Sequence, residues 1–479
     1  MIEHPIEAPT SRLLRIFAFD PMQADARLST ITVDVSNEQL TVGPSGERIE
    51  VIDYDATRGL YYPPVNLDDS AILMQSGLAP SEADPRFHQQ MVYAVAMKVL
   101  ENFDRALGRR ITFKQNKKLR LFPHAFREAN AFFDPKLTAV CFGYFMADRE
   151  QPGRNLPGQT VFTCLSQDII AHEVTHALVH RMREFFLVPT NDDVLAFHEG
   201  FADIVAIFQH FTFPSVLSDA IRKARGALHS ADTLVDLATQ FGHATGKNDA
   251  LRSALDPADP RRYANATEPH ERGSILVAAV FEAFYAIYQD RSRDLVRIAT
   301  SGTGVLPEGD LLPDLVERLS REAAKAAQEV LTMCIRAFEY LPPRRHHLRG
   351  LPAGAGHGGL RSDGHPKSDW PTRGDRGVQA PRHLPRRCHL ALGGCAPLAH
   401  TASGTRILHA RLGRRRSTRE RCNGVSAREC QARERSALRR LERAPPLGQA
   451  QRRGAWPRSR RGPHRAPWLS RHLPRQAQR

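Results

Sequence analysis

Apolar and polar side chains alternate along three short runs near the start of the chain. The runs are Leu13 to Phe19, Ile31 to Val35 and Glu50 to Tyr54. Because successive side chains of a strand point to opposite faces, this alternation is typical of half-buried β-strands. We therefore predict a β-rich N-terminal segment over residues 1–84.

From residue 85 onward the apolar positions recur mainly at helical spacing. Pro85 to Leu107 repeats apolar side chains every three or four residues, which predicts a long helix. Shorter strand-like runs follow at Ile111 to Phe113, Leu119 to Phe122, Asn130 to Phe133 and Leu137 to Phe145. Further helices are predicted at 168–180, 194–208, 216–225, 231–241, 273–288, 311–321 and 322–340. Strands followed by helices predict an α+β domain over residues 85–343.

The composition changes abruptly near Pro342-Pro343. Residues 344–479 hold 31 Arg and one Lys against three Asp and four Glu, a net charge of +25, which leaves −10 for residues 1–343. The tail also has only one Ile and two Val. Such a segment buries too little apolar area to offset chain entropy, so we predict a disordered Arg/Pro/Gly-rich tail over 344–479.

The basic tail has three interpretations. It can be an arm that binds nucleic acid through its arginines, or a disordered tail without a partner. It can also be the product of a frameshift, because G+C-rich coding DNA read in a wrong frame yields Arg, Pro, Gly, Ala and His. The sharp switch in composition favours the frameshift. The tail cysteines show no zinc-finger spacing.

The richest candidate chemistry lies in the run His172-Glu173-Val174-Thr175-His176, an H-E-x-x-H pattern. Residues four apart share one face of a helix, so His172 and His176 can direct two imidazoles at one metal ion. The flanking residues are mostly apolar, as in a buried helix. A hydrolytic zinc site usually has three protein ligands and one water, so a third ligand is needed.

The next predicted helix can supply that ligand. Asn191 or Asp192 is a suitable N-cap, and Glu199 and Asp203 share a face four residues apart. Glu199 can coordinate the metal, and Asp203 can accept the outer N–H of a ligating histidine. His180 lies about 12 Å from His172 along the helix axis, which is too far to share an ion. His198 points about 100° away from Glu199.

H-E-x-x-H followed by a helix with E-x-x-x-D resembles the gluzincin metallopeptidases, thermolysin-like enzymes in particular. The resemblance implies Zn²⁺ on His172, His176 and Glu199, with Glu173 as the general base that takes a proton from the zinc-bound water. It also implies a two-lobed zincin fold, with a β-rich N-terminal lobe, a mainly helical C-terminal lobe and the metal between them.

Three other segments are similar to the same family in the same order. Arg127-Glu-Ala-Asn-Ala-Phe-Phe resembles its Asn-Ala edge strand, which implies substrate contacts from Asn130 and Ala131. Asp249-Ala-Leu-Arg-Ser-Ala-Leu-Asp-Pro resembles its L-R-S-x-x-D-P stretch, which implies that Arg252 holds a substrate carbonyl. Pro269-His-Glu-Arg-Gly-Ser-Ile resembles its oxyanion-binding segment, which implies that His270 is a catalytic donor.

The chain also departs from that family. No tyrosine occurs between His176 and Glu199, where the family has a second oxyanion donor. The acidic cluster that binds structural calcium is not visible either, because the first acidic residue after Asp203 is Asp219. We therefore take over zinc from the resemblance and make no prediction about calcium.

We expect a zinc-dependent endopeptidase that acts on peptides or proteins. The alternatives are a catalytically silent zinc-binding protein, favoured by the missing tyrosine, and a nucleic-acid-binding protein, which requires the tail to be genuine. We expect no membrane partner and a cytoplasmic location, because the sequence shows no signal peptide or transmembrane run. The odd number of cysteines in residues 1–343 suits a reducing compartment.

Overall fold

The computed structural model describes residues 9–21, 30–114, 117–150, 152, 155–228, 236–237, 252–253, 265–306, 308–341, 436 and 439–441. The strands are β1 Ser11–Phe17, β2 Thr30–Ser36, β3 Ile49–Val51, β4 Tyr54–Asp55, β5 Leu60–Tyr61, β6 Leu119–Phe126, β7 Ala131–Asp134, β8 Ala139–Met146, β9 Thr160–Phe162, β10 Asp236–Leu237 and β11 Arg252–Ser253. The α-helices are α1 Ser70–Met74, α2 Pro85–Leu107, α3 Gln167–Met182, α4 Asp192–His210, α5 Pro214–Lys223, α6 Pro269–Ala299 and α7 Pro313–Ala337. Helices and strands both contribute substantially, so the fold is α+β.

The largest sheet has the strand order β3-β6-β8-β7, with β9 also paired to β8. β3, β6 and β8 run parallel, whereas β7 and β9 are antiparallel to β8. Because β3 belongs to the N-terminal segment and β6 to the following one, the sheet joins the two segments. Their apolar side chains form one large buried cluster that also includes α2.

Helix α2 has the bounds that its sequence pattern predicts. Asp84 caps its N-terminus by accepting a hydrogen bond from the Arg86 backbone N–H at 3.0 Å, and Pro85 takes the first turn. Gly108 ends it at φ 66°, a left-handed conformation that favours glycine. The helix is buried on nearly all sides because it packs against β1, β3, α3 and α7.

The N-cap of α2 predicts a pH-dependent contribution to stability. Burial alone would raise the pKa of Asp84, but hydrogen bonds from Arg86 lower it below its usual value. Because the folded-state pKa is below the unfolded value of about 3.9, the ionised cap stabilises the protein above that pH. This contribution is lost as the pH falls through the lowered pKa. We expect Asp84→Ala to lose about 1 kcal/mol at pH 7, measured by urea unfolding.

Asp84→Asn is the matched control for this measurement, because asparagine caps helices as well as aspartate but does not ionise. Its stability deficit relative to the wild type should shrink as the pH falls from 7 to 3. A deficit that stays constant over this range would contradict an ionised cap.

The structure corrects several predicted elements. Ile111 to Phe113 is not a strand, although Ile111 and Phe113 are buried. The two helices predicted at 311–321 and 322–340 are one helix, α7, since no helix-breaking residue separates them. In the helix predicted at 231–241, Asp236–Leu237 forms a strand that pairs with β11, and the other positions lie outside the described residues.

No single helix of the described ranges is long and apolar enough to cross a membrane; α4 and α5 meet that criterion only together, with a bend of 87° between them.

A few tail residues are described, and they contact the rest of the chain. Arg440 donates to the Ala56 carbonyl at 2.7 Å, and Leu441 is buried in a small cluster with Phe122 and Cys141. The disorder predicted for the remainder of 344–479, and the frameshift interpretation, concern residues outside the described part of the chain.

Candidate metal site

Helix α3 carries the H-E-x-x-H pattern as a single continuous helix. Ser166 is its N-cap. The helix turn brings the rings of His172 and His176 to 4.5 Å between centroids, at an interplanar angle of 86°. His180, one turn further, packs against Phe133 instead, at 5.6 Å. The two histidines of the motif are therefore side by side and His180 points elsewhere.

Helix α4 brings the carboxylates to the same place. Asn191 caps it by accepting hydrogen bonds from the backbone N–H groups of Asp193 and Val194, at 2.9 and 3.1 Å. α4 packs along α3, so Glu199 and Asp203 face the two histidines. The N-cap that the sequence suggests at Asn191 thus sets the start of the helix that presents the carboxylates.

The ligand atoms of His172, His176 and Glu199 converge. Glu199 Oε2 lies 3.2 Å from His172 Nε2 and 3.6 Å from His176 Nε2, and the three ligand atoms are within 4.8 Å of one another. Ligands that bind zinc tetrahedrally at about 2.0–2.1 Å lie about 3.3 Å apart. The donor set and its spacing therefore fit a zinc ion with little rearrangement.

Each of the two candidate histidine ligands has a partner at its outer ring nitrogen. Asp203, which is almost fully buried, accepts a hydrogen bond from His172 Nδ1 at 2.8 Å. His176 Nδ1 lies 2.5 Å from Nδ1 of His198, another buried side chain. Burial, followed by repulsion from His176, lowers the pKa of His198 well below its ordinary range, so His198 is a neutral partner. Such partners fix the ring orientation of metal-ligating histidines.

His270 also reaches this cluster, from the first turn of α6. Its Nε2 lies 3.1 Å from Glu199 Oε2, and its Nδ1 lies 2.8 Å from Oε1 of Glu268, the N-cap of α6. The His270 side chain is 45% exposed, so it faces the open side of the cluster. Burial alone would raise the pKa of Glu199, but His176 and the hydrogen bonds from His172, His176 and His270 lower it well below its usual range.

Two contacts between α4 and α6 hold His270 in place. Arg272 Nε pairs with Asp193 Oδ1 at 2.5 Å, which joins the first turns of the two helices. Gly273, which directly follows Arg272, meets Gly200 of α4, and a Cβ on Gly200 would lie 2.6 Å from the Gly273 carbonyl oxygen. The backbones therefore approach as closely as only glycine allows, directly beside Glu199.

Glu173, the candidate general base, is buried and directly follows His172 on α3. It is not among the three ligand atoms that converge. Glu173 is therefore next to the candidate ligand His172 along the helix, but outside the converging set.

The segment that carries Asn130 and Ala131 is an edge strand. β7 starts at Ala131, packs against α3 and, among the described strands, pairs with β8 alone. Asn130 is exposed, and its Oδ1 accepts a hydrogen bond from the Ala131 N–H at 2.9 Å. Arg252 lies in β11 next to β10, and its side chain is outside the described part of the structure. The edge strand is present, whereas the position of the Arg252 guanidinium relative to the cluster is not described.

Sequence reasoning missed two partners, His198 and Glu268. It tested His198 only as a ligand and excluded it by its angle from Glu199, yet a residue at that angle can meet the outer nitrogen of His176. Glu268, two residues before His270, has the position of an N-cap, and the sequence shows that signal.

A further buried hydrogen bond joins the two helices of the site. Asp168 of α3 accepts it from His210 of α4 at 2.6 Å.

Comparison with protein-family models gave no match to this chain, and no curated protein matches it.

Proposed function

We propose that the chain is a zinc-dependent metallopeptidase that hydrolyses peptide bonds. The observation that supports it most is the convergence of His172, His176 and Glu199 from two helices, backed by Asp203. Three protein ligands with an exposed face match catalytic rather than structural zinc sites, which use four ligands. We also propose the two-lobed zincin layout, with the cluster between a β-rich and a helical lobe.

The residues around the cluster have distinct roles in this proposal. Bound zinc supplies a Lewis acid that polarises the scissile carbonyl and acidifies water. Glu173 takes a proton from the attacking water and passes it to the leaving nitrogen. His270 donates a hydrogen bond to the developing oxyanion, with Glu268 holding its other ring nitrogen.

Substrate contacts complete the proposal. β7 is an edge strand beside α3, so an extended peptide can pair with it through backbone hydrogen bonds. Asn130 and the Ala131 backbone are at the start of this edge. Arg252 is proposed as a further contact to a substrate carbonyl.

The test uses the full-length chain, a library of quenched fluorescent peptides and elemental analysis. We expect hydrolysis that a chelator abolishes and added Zn²⁺ restores, and a loss of one zinc equivalent in Glu199→Ala. Glu317→Ala, an exposed change on α7, is the matched control and should keep both zinc and activity. Zinc binding without hydrolysis would instead support the catalytically silent alternative, and the absence of zinc at Glu199 would contradict both.

A further inference from the structure

A second cluster of metal-ligand side chains lies in the protein interior. His88 from the first turn of α2, His124 from β6 and Cys164 from the turn before α3 form this interior cluster. The residues are 1%, 1% and 0% exposed. One donor atom from each lies within 4.8 Å of the other two. It shares no residue with the His172–His176–Glu199 site.

The hydrogen bonds of the interior cluster leave two lone pairs facing each other. His124 Nδ1 lies 2.7 Å from Asp53 Oδ1, and His88 Nε2 lies 3.2 Å from the Glu82 carbonyl oxygen. Both partners are acceptors, so in each ring this nitrogen carries a proton. Without a further proton, the remaining nitrogens, His88 Nδ1 and His124 Nε2, are both acceptors, yet they lie 2.8 Å apart. A cation between them resolves this conflict.

A shared proton, carried by His124 beside Asp53, is one such cation, and a metal ion is the other. The rings of Phe162 and Tyr62 pack around the pair and exclude water from it. A metal ion instead needs both rings neutral, with their lone pairs pointed at one place.

Cys164 supplies a third donor, and its type narrows the choice of ion. Thiolate together with imidazole favours soft or borderline transition metals such as zinc over Mg²⁺ or Ca²⁺. Without a metal, burial raises the pKa of the Cys164 thiol well above its usual value. A coordinated thiol is deprotonated, and its proton leaves to solvent on binding. A nucleophilic role is incompatible with a side chain that has no exposed surface.

Asp53 completes the charge balance. It is buried, and His124 is the only basic side chain within 4 Å of its carboxylate among the described residues. Its second oxygen accepts a hydrogen bond from Gln89 Nε2 at 2.9 Å. A divalent ion with one thiolate and the neighbouring Asp53 carboxylate sums to zero charge. A carboxylate on the outer nitrogen of a ligating histidine is the usual supporting arrangement.

We propose that His88, His124 and Cys164 bind a second transition-metal ion of the zinc class in the protein interior. The ion links α2, the sheet and the turn that leads into α3. It therefore braces the start of the helix that carries His172 and His176, without taking part in hydrolysis.

The test uses Co²⁺ as the probe on full-length, metal-stripped protein. Thiolate ligation of Co²⁺ gives a near-ultraviolet charge-transfer band, whereas a His₂Glu site has no thiolate to produce one. We expect the band in the wild type, its loss in Cys164→Ser, and its retention in Cys141→Ser, a change at an equally buried cysteine. Absence of the band from the wild type, or its persistence in Cys164→Ser, would overturn the proposal.

Two further variants separate this proposal from the proposed function. Glu199→Ala should lose one metal equivalent but keep the thiolate band. Loss of metal from one site is then measured separately from loss of metal from the other. Asp53→Asn keeps the shape of the side chain and should weaken Co²⁺ binding at the thiolate site by about 10–100-fold. If Cys164→Ser does not fold, Asp53→Asn tests the interior metal site in its place. An unchanged Co²⁺ affinity in Asp53→Asn would count against the assigned role of Asp53.

Discussion

Glu173→Gln should keep its zinc and lose peptide hydrolysis by about 10²–10⁴-fold, the usual contribution of a general base. The amide has nearly the shape of the carboxylate but cannot accept the proton of the attacking water. Glu173 lies outside the set of converging ligand atoms, so we expect the zinc proposed on His172, His176 and Glu199 to stay bound. The loss of hydrolysis is checked by measuring kcat with a quenched peptide. The retention of zinc is checked by elemental analysis.

The control is an exposed glutamate with no part in the site. Glu317→Gln removes a surface pair with Arg321 on α7 and should leave kcat unchanged. If Glu173→Gln remains active, Glu173 is not the base. If it loses zinc, Glu173 serves the metal rather than the proton transfer.

Local patterns predicted long elements such as α2 and the convergence of the three candidate metal ligands. The bounds of α2 follow from Asp84, Pro85 and Gly108, which act within one turn of the helix ends. His172 and His176 are neighbours because a helix brings residues four apart together, and the same spacing sets Glu199 above Asp203. These features depend on sequence separations of a few residues, so the sequence alone reveals them.

Contacts between distant segments were not predictable in this way. His198 meets His176 only because of the angle at which α3 and α4 pack. The interior cluster joins His88, His124 and Cys164, which are far apart in the sequence and have no recognisable spacing. The sequence also gives no sign that β3 of the N-terminal segment pairs with β6. Each of these depends on tertiary packing rather than on local periodicity.

Gly273→Ala should destabilise the protein and reduce hydrolysis while zinc remains bound. A Cβ at this position would lie 2.7 Å from the Ala196 carbonyl oxygen and 2.9 Å from the Gly200 backbone nitrogen. Backbone atoms cannot rotate away as a flexible side chain can, so α6 must move off α4. Overpacking of this kind costs about 1–3 kcal/mol.

The same movement carries His270 away from Glu199, because both glycines are within three residues of these side chains. The expected signature is a lower Tm and a lower kcat, with the zinc equivalent at Glu199 retained because all three ligands lie on α3 and α4. Ile298→Ala, at an exposed position on the same helix, is the control and should change neither. A Gly273→Ala protein with unchanged Tm would show that the two helices do not touch there, and unchanged kcat with a lowered Tm would show that His270 does not act in catalysis.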